Sequence, residues 1–265
     1  MANTTKLPLI IGHRGASANA PENTLSAFKS AFDDGAGGIE LDVRLSRDGV
    51  PVVIHDATLP GKRLRKRLIS RLTSAQLKQI DVGSRFNQHH PDLARAEYTG
   101  QTIPTLDEVF QLVADTATEP FVIYVELKCG PSRKRNEELA RETVAAVQRY
   151  DLKEQAILIS FNLRTVATIK QIDNSLRTGA LFGPRRAVRS PATIVRAAVN
   201  SAADEILLNH RIASQKLIDA AGAKNLPVVI WTVDDVRWIL RAQSLGIHAL
   251  ITNNPAKFLK VSTTE

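Results

Sequence analysis

The strongest constraint on the fold is a regular alternation between short β-branched runs and longer segments with helical spacing. This pattern is typical of βα units. The predicted strands are Leu7–Gly12, Gly38–Leu45, Phe121–Lys128, Ala156–Phe161, Arg177–Phe182, Glu205–His210, Pro227–Val233 and Ala249–Thr252. The predicted helices start near Thr24, Thr105, Asn136, Leu163, Pro191, Ser214, Asp235 and Pro255.

Eight such units in a chain of 265 residues predict a (β/α)₈ TIM barrel, a fold that commonly occupies ~250 residues as one domain. An open doubly wound sheet is the second choice, but no Gly-x-Gly-x-x-Gly turn follows a strand to support it. We therefore predict a single domain over residues 1–265. The long segment after the second strand, with its own apolar run Pro51–His55, predicts a small inserted subdomain at about residues 46–101.

Charged residues alternate with apolar ones on two predicted strands. Because side chains alternate between the faces of a strand, Glu40, Asp42 and Arg44 share the face that points into the barrel. Glu126 and Lys128 share the corresponding face of the third strand. Charges inside a barrel are costly unless they are paired or bind a metal. All five fall near the carboxyl ends of strands, where TIM-barrel active sites lie.

These positions bring three carboxylates together, those of Glu40, Asp42 and Glu126. Such hard oxygen ligands suit Mg²⁺ or Ca²⁺. An ion-pair network explains the same residues without a metal, and spacing alone does not decide between the two interpretations. The cations available for such a network are Arg14, Arg44 and Lys128.

Two histidines, His13 and His55, end strands beside these carboxylates. Histidine is the side chain whose unperturbed pKa suits proton transfer near neutral pH. Arg14 can hold a phosphate through two parallel hydrogen bonds, and Gly15 lets the backbone approach closely. Together with Lys128, this set favours phosphoryl chemistry over sugar or carbonyl chemistry.

A series of short motifs follows in order along nearly the whole chain. They are His13-Arg14-Gly15, Pro21-Glu22-Asn23-Thr24, Glu40-Leu41-Asp42-Val43, Asp48-Gly49, Pro51-Val52-Val53, His55-Asp56, Ile103-Pro104-Thr105-Leu106, Glu126-Leu127-Lys128 and Trp231-Thr232-Val233. Each is weakly specific alone, but in this order they resemble the glycerophosphodiester phosphodiesterase family. The resemblance implies a TIM barrel with a small inserted domain that hydrolyses glycerophosphodiesters to glycerol 3-phosphate and an alcohol.

The resemblance also implies residue roles. The divalent-metal ligands would be Glu40, Asp42 and Glu126, with Mg²⁺ expected rather than Ca²⁺ because a cytoplasm supplies far more free Mg²⁺. The general base and acid would be His13 and His55, and the phosphate ligands Arg14 and Lys128. Trp231 resembles the aromatic wall of the substrate pocket, with a plain core aromatic as the alternative.

Two positions depart from the family pattern. The last strand ends in Thr252-Asn253 where the family usually has Thr-Asp, so any electrostatic role of that carboxylate is lost from residue 253. The segment Leu59-Pro60-Gly61-Lys62-Arg63 replaces an Arg-rich turn on the leaving-group side. Selectivity for the alcohol is therefore not inherited from the family.

The net charge of +8 can attract nucleic acid, anionic lipid or a phosphorylated small molecule. The densest basic run, Lys62–Arg67, is expected to be a solvated loop, and it lacks the clustered aromatics that stack bases. We therefore expect a small-molecule glycerophosphodiester as the partner rather than nucleic acid. The lack of any apolar run near ~20 residues, of a signal segment, and of a second cysteine beside Cys129 predicts a cytoplasmic protein without stable membrane insertion.

Other functions stay open. A related phosphodiesterase acting on a lysophospholipid or another head-group diester is one, although the insertion is basic and polar rather than apolar. A non-catalytic barrel that binds a phosphate ligand is another, although a degenerate copy should have lost a metal ligand or a histidine. Oligomeric state, the preferred alcohol, and water or glycerol hydroxyl as nucleophile are not readable from the sequence.

Overall fold

A computed structural model describes residues 7–59, 67–116, 121–184 and 190–262. Its strands are β1 (Leu9–His13), β2 (Gly38–Leu45), β3 (Pro51–Val53), β4 (Thr58–Leu59), β5 (Arg67–Leu68), β6 (Val122–Leu127), β7 (Ala156–Ser160), β8 (Arg177–Phe182), β9 (Glu205–Asn209), β10 (Val228–Trp231) and β11 (Ala249–Thr252). Its helices are α1 (Leu25–Asp33), α2 (Ser74–Leu77), α3 (Gly83–His89), α4 (Leu106–Thr116), α5 (Arg133–Arg149), α6 (Leu163–Ile172), α7 (Pro191–Asn200), α8 (Gln215–Gly222), α9 (Trp238–Leu245) and α10 (Pro255–Ser262).

Eight parallel strands close into a barrel, which confirms the predicted fold. They are β1, β2 and β6 to β11, and the ring closes because β1 pairs with both β2 and β11. A helix follows each of the eight barrel strands, and each of these helices begins within about three positions of the residue predicted for its start. The helix α5 begins earlier than expected, at Arg133 rather than near Asn136, because the Ser132 hydroxyl accepts a hydrogen bond from the amide of Arg135 and caps its first turn.

The two faces of the barrel strands pack into separate apolar layers. Ile39, Leu41 and Val43 of β2 lie outside the barrel and pack with Phe28 of α1 and Phe110 of α4. The inner layer is formed by alternate residues of the other strands, among them Ile11, Tyr124, Ile159, Leu181, Leu207, Val229 and Ile251. This period of two leaves Glu40 and Asp42 on the inner face, as the sequence predicted.

The inner layer contains a polar pair below the site. The hydroxyl of Tyr124 on β6 donates a hydrogen bond to Glu205 of β9 at 2.9 Å, and both side chains are buried. Burial raises the pKa of Glu205, while the hydrogen bond from Tyr124 works in the opposite direction. The lower barrel is therefore a filled core, and the site occupies its upper end.

The segment between β2 and α4 forms the inserted subdomain. β3 pairs antiparallel with the end of β2, β4 pairs with β5, and a small apolar core holds the segment together. That core consists of Val52, Leu59, Ile69, Leu77 and Ile103. Of the predicted basic loop Lys62–Arg67, only Arg67 lies within the described residues, and most of the departing segment Leu59–Arg63 lies outside them.

The antiparallel pairing of β3 determines where His55 lies. The amide of Ile54 donates a hydrogen bond to the carbonyl of Asp42 at 2.8 Å, so the chain passes directly beside the carboxyl end of β2.

Across the ranges that the structure describes, no helix has the length and apolar character needed to cross a membrane.

Candidate active site

Three carboxylates meet at the carboxyl ends of β2 and β6. Asp42 and Glu126 are partners in the parallel register of the two strands, and Glu40 lies two residues before Asp42 on the same face. One carboxylate oxygen from each of the three lies within 4.8 Å of the others. All three side chains are buried. The structure thus brings together the residues that the alternation placed inside the barrel.

Two cations lie within this carboxylate cluster. The ammonium nitrogen of Lys128 is 2.9 Å from Asp42 Oδ1 and 2.7 Å from Glu126 Oε1, and Arg14 Nε is 3.0 Å from Asp42 Oδ2. Burial alone would raise the pKa of Asp42, but Lys128 and Arg14 outweigh it and lower that pKa. Asp42 therefore carries a negative charge although it is almost fully buried.

Glu40 lacks this compensation. It accepts a hydrogen bond from the backbone amide of Arg14 at 3.2 Å, and His13 Nε2 lies 3.9 Å away. No lysine or arginine side chain of the described residues comes within 4.0 Å of its carboxylate. Burial, together with the charges of Asp42 and Glu126, raises the pKa of Glu40 well above its usual range.

The charges in the cluster therefore do not balance. Within 4.0 Å and among the described residues, the three carboxylates have two arginine or lysine partners, Arg14 and Lys128, and Arg14 is shared with Glu22 at 2.8 Å. Burial also raises the pKa of Glu126. A buried group of oxygen donors whose burial and mutual repulsion raise the pKa of Glu40 and Glu126 fits a divalent cation of the Mg²⁺ or Ca²⁺ type, which would supply the missing positive charge.

The Pro21-Glu22-Asn23-Thr24 segment holds the cluster from above. The Asn23 side chain donates to Asp42 Oδ2 at 2.9 Å and accepts from the Asp42 backbone amide at 3.2 Å. The Thr24 hydroxyl caps α1 by accepting from the amide of Ala27. Sequence reasoning gave Asn23 no role, although its place in a quoted motif was a signal that it contributes to the site.

The turn after β1 orients Arg14. Arg14 has a φ of 56° and Gly15 a φ of 81°, so two successive residues adopt the left-handed conformation. A Cβ at Gly15 would lie 2.5 Å from the Ala27 backbone, which only glycine avoids. The left-handed conformation of a residue other than glycine costs about 1 kcal/mol, and here the ion pairs of Arg14 with Asp42 and Glu22 offset it.

The hydrogen bonds of His13 determine which ring nitrogen carries the proton. Asn253 Nδ2 donates to Asp234 Oδ2 at 2.7 Å, because an ionised carboxylate can only accept. The Asn253 oxygen therefore faces His13 Nδ1, at 2.6 Å. That nitrogen must be the donor, which leaves Nε2 of the neutral ring with a free lone pair.

The ionisation of His13 agrees with this arrangement. Burial, reinforced by the charge of Arg14, lowers the pKa of His13 to about 4, although the hydrogen bond with Asn253 works in the opposite direction. The ring is accordingly neutral near pH 7. A neutral imidazole with an available Nε2 lone pair can act as a proton acceptor.

Asp234 supplies a carboxylate near the position where Asn253 departs from the family pattern. Besides the Asn253 side chain, it accepts hydrogen bonds from the Asn253 backbone amide at 2.9 Å and from the Thr252 hydroxyl at 3.1 Å. The family pattern has a carboxylate at residue 253. In this chain the carboxylate is that of Asp234, and the Asn253 side chain lies between it and His13. Sequence reasoning missed Asp234, although an acidic residue just after β10 was a usable signal.

His55 and Trp231 line the same cavity as His13, which has a volume of about 250 Å³. His55 Nδ1 lies 2.9 Å from Asp56 Oδ1, and its side chain is more exposed than that of His13, 37% against 18%. The Trp231 ring meets Phe161 edge-on at a centroid distance of 5.5 Å. The cavity therefore combines two imidazoles, the acidic cluster and an aromatic wall.

Comparison with known proteins gives a consistent result. A sequence model of the glycerophosphoryl diester phosphodiesterase family matches residues 13–257. A glycerophosphodiester phosphodiesterase of Caldanaerobacter subterraneus subsp. tengcongensis is 30% identical over 253 residues, which cover 96% of this chain and 97% of the relative. A glycerophosphodiester phosphodiesterase of Bacillus subtilis is 28% identical over an alignment of 267 positions, which covers 96% of this chain and 86% of the relative.

Solved structures show the same similarity. A phosphodiesterase of Oleispira antarctica, in complex with the product sn-glycerol-3-phosphate, matches this chain with a TM-score of 0.82 and 27% sequence identity. The match covers 97% of each chain.

The hydrogen bonds of His13 lead to a prediction for its tautomer and pKa. Two-bond ¹H–¹⁵N NMR of histidine-labelled protein should show His13 as the neutral Nδ1–H tautomer at pH 7, and protonation should begin only as the pH falls toward about 4. Replacing Asn253 with alanine should remove the tautomer preference. An Nε2–H tautomer in the wild type, or a titration midpoint near 6.5, would show that this hydrogen-bond chain is wrongly assigned.

Proposed function

The chain belongs to the glycerophosphoryl diester phosphodiesterase family, and from this premise we propose that it hydrolyses glycerophosphodiesters to glycerol 3-phosphate and an alcohol, with a divalent cation. The observation that carries the proposal is the single cavity where His13, His55 and the carboxylates Glu40 and Glu126 meet. The glycerol 3-phosphate bound by the Oleispira antarctica relative supports the product.

The cation would be held by Glu40, Asp42 and Glu126, whose oxygen donors suit it and whose mutual repulsion it would relieve. When bound, a divalent cation neutralises charge on the non-bridging phosphate oxygens. We favour Mg²⁺ over Ca²⁺, since an all-carboxylate protein set leaves coordination positions to water and to substrate phosphate, as Mg²⁺ usually requires.

Arg14 and Lys128 would bind the phosphate from the other side of the cluster. Both side chains are mostly buried, 17% and 14% exposed, and both line the cavity. Their ion pairs with Asp42 fix their positions before substrate arrives, so little reorganisation is needed as charge develops on phosphorus. Arg14 adds the forked geometry that matches two phosphate oxygens.

The two histidines would transfer protons in an in-line displacement at phosphorus. His13, neutral and with its Nε2 lone pair free, would remove the proton from the nucleophile. His55 would protonate the oxygen of the departing alcohol, because an alkoxide is a poor leaving group, and Asp56 at 2.9 Å would orient its ring. The different exposures of the two rings fit an inner base and an outer acid.

Trp231 would form the wall against which the glycerol arm packs. Its ring lines the cavity together with Phe161 and Leu181, and the three side chains present a largely apolar surface. The proposal also takes residues 1–265 as one phosphodiesterase domain acting on a small-molecule substrate in the cytoplasm. The family match over residues 13–257 supports the single domain, and the single cysteine supports the cytoplasmic location.

The proposal predicts metal-dependent product release. Protein stripped with EDTA should release little glycerol 3-phosphate from glycerophosphocholine or glycerophosphoethanolamine, and Mg²⁺ should restore release more effectively than Ca²⁺. An enzyme-coupled assay of glycerol 3-phosphate, with Mn²⁺ as a third ion, measures both. Full activity after EDTA treatment would contradict the metal requirement, and no release with any ion would contradict the proposed reaction.

The proton transfers predict the effect of removing each histidine. His13→Ala and His55→Ala should each lower kcat by roughly 10²–10⁴-fold, the usual contribution of a positioned acid or base. His248→Ala, which removes an exposed imidazole just before β11, at the opposite end of the barrel from the site, is the matched control and should change kcat little. Circular dichroism should show an intact fold in all three variants. Full activity in either site variant would contradict the role assigned to that histidine.

A further inference from the structure

We infer that a cationic cleft beside the catalytic cavity binds an acidic group on the alcohol arm of the substrate. This inference rests on the proposed function and deepens it by naming the class of alcohol. The cleft has a volume of about 740 Å³, and it shares Glu126, Lys128 and Phe161 with the catalytic cavity. The two spaces therefore lie side by side, and in this inference the substrate extends from one into the other.

Three arginines line the cleft in addition to Lys128: Arg44, Arg133 and Arg164. Two of the four cations are already neutralised, since Lys128 pairs with the carboxylate cluster and Arg133 Nε lies 2.7 Å from Glu137. Arg44 and Arg164 have no carboxylate partner within 4.0 Å among the described residues. The cleft thus presents two guanidinium groups that have no ion-pair partner at this distance, although the charges of Asp42, Glu126 and Asp56 act on Arg44 from further away.

Arg44 lines the cleft and is linked to the catalytic cavity by a hydrogen bond to His55, which lines that cavity. It projects from the inner face of β2, is partly buried, and its Nε donates to the backbone carbonyl of His55 at 2.8 Å. This bond places its guanidinium beside the residue proposed to protonate the departing alcohol. A partly buried arginine with no carboxylate within ion-pair distance favours binding of an anion, because an anion would supply the close partner that it lacks.

Arg164 lies at the outer side of the cleft, in the first turn of α6, and its side chain is exposed. The first turns of α5 and α6 both line the cleft, so their helix dipoles add positive potential to that of the arginines. An acidic group between Arg44 and Arg164 would be attracted by both.

The sizes of the two spaces indicate which substrate arm occupies each. The cavity of about 250 Å³ at Trp231 accommodates the small glycerol arm, and the cleft of about 740 Å³ on the Arg44 side accommodates a larger alcohol. A trimethylammonium alcohol would meet two arginines there that lack a close ion-pair partner. A carboxylate or a second phosphate would be stabilised instead, and both present the same anionic oxygen acceptors.

Two pairs of substrates that differ by one acidic group test the inference. Glycerophosphoserine differs from glycerophosphoethanolamine by a carboxylate, and glycerophosphoinositol 4-phosphate differs from glycerophosphoinositol by a phosphate. The metal-loaded wild type should show a kcat/KM about tenfold higher for the acidic member of at least one pair. The pair that shows the preference identifies the acidic group as a carboxylate or a phosphate.

Variants then assign the preference to the cleft. Arg44→Gln should reduce the ratio of acidic to non-acidic kcat/KM about tenfold, and exposed Arg164→Gln about threefold, mainly through KM. Arg196→Gln is the matched control, since it removes one exposed charge from α7 outside the cleft and should leave the ratio unchanged. Because Arg164 is exposed, its variant should fold normally even if Arg44→Gln does not.

Equal kcat/KM within both pairs, or a preference that neither variant reduces, would overturn the inference while leaving the proposed function intact. Loss of the preference in Arg196→Gln as well would overturn it too, because the effect would then be one of net charge. Failure to hydrolyse any of the four diesters would overturn the proposed function and this inference with it.

Discussion

The site depends on one interaction, the repulsion among three buried carboxylates at the ends of two neighbouring strands. Asp42 and Glu126 are adjacent because their strands pair in parallel register. Glu40 lies beside them because it is two residues before Asp42 and therefore on the same face of β2. Removing one partner from a buried charged pair costs about 3–5 kcal/mol, so the cluster persists only with positive charge close by. Arg14 and Lys128 supply part of that charge, and the remainder defines a place for a divalent cation.

Several other features of the fold serve this cluster. The left-handed turn after β1 brings Arg14 to Asp42, and Asn23 binds the same carboxylate with both ends of its amide. The antiparallel addition of β3 to β2 carries His55 to the rim, while β11 and the loop after β10 hold His13 from the opposite side. Below, the buried Tyr124–Glu205 pair and the aliphatic inner layer close the barrel. The two histidines thus reach one cavity from distant parts of the chain.

Much of this architecture was predictable, because periodicity is a local property of sequence. The eight strands, the inward face of β2 and the long segment after it follow from alternation and length. The hydrogen-bond chain from Asp234 through Asn253 to His13 was not predictable, because its members come from different strand ends and no spacing rule links them. Asn23 was missed for a similar reason, since its contact with Asp42 depends on the turn that Arg14 and Gly15 adopt. The cleft at Arg44 depends on how α5 and α6 frame the ends of β6 and β7, which sequence patterns do not specify.

The central claim is that the carboxylate cluster is a cation site rather than a closed ion-pair network. Titration of the metal-free protein with Mn²⁺, followed by electron paramagnetic resonance, tests it without reference to activity. The account predicts one bound Mn²⁺ per chain, competition by Mg²⁺, and affinity weakened by about tenfold or more in both Glu40→Gln and Glu126→Gln, while Glu142→Gln on the exposed face of α5 binds normally. Absence of binding, or an affinity that neither site variant changes, would contradict it and leave the carboxylates as an ion-pair network with Arg14 and Lys128.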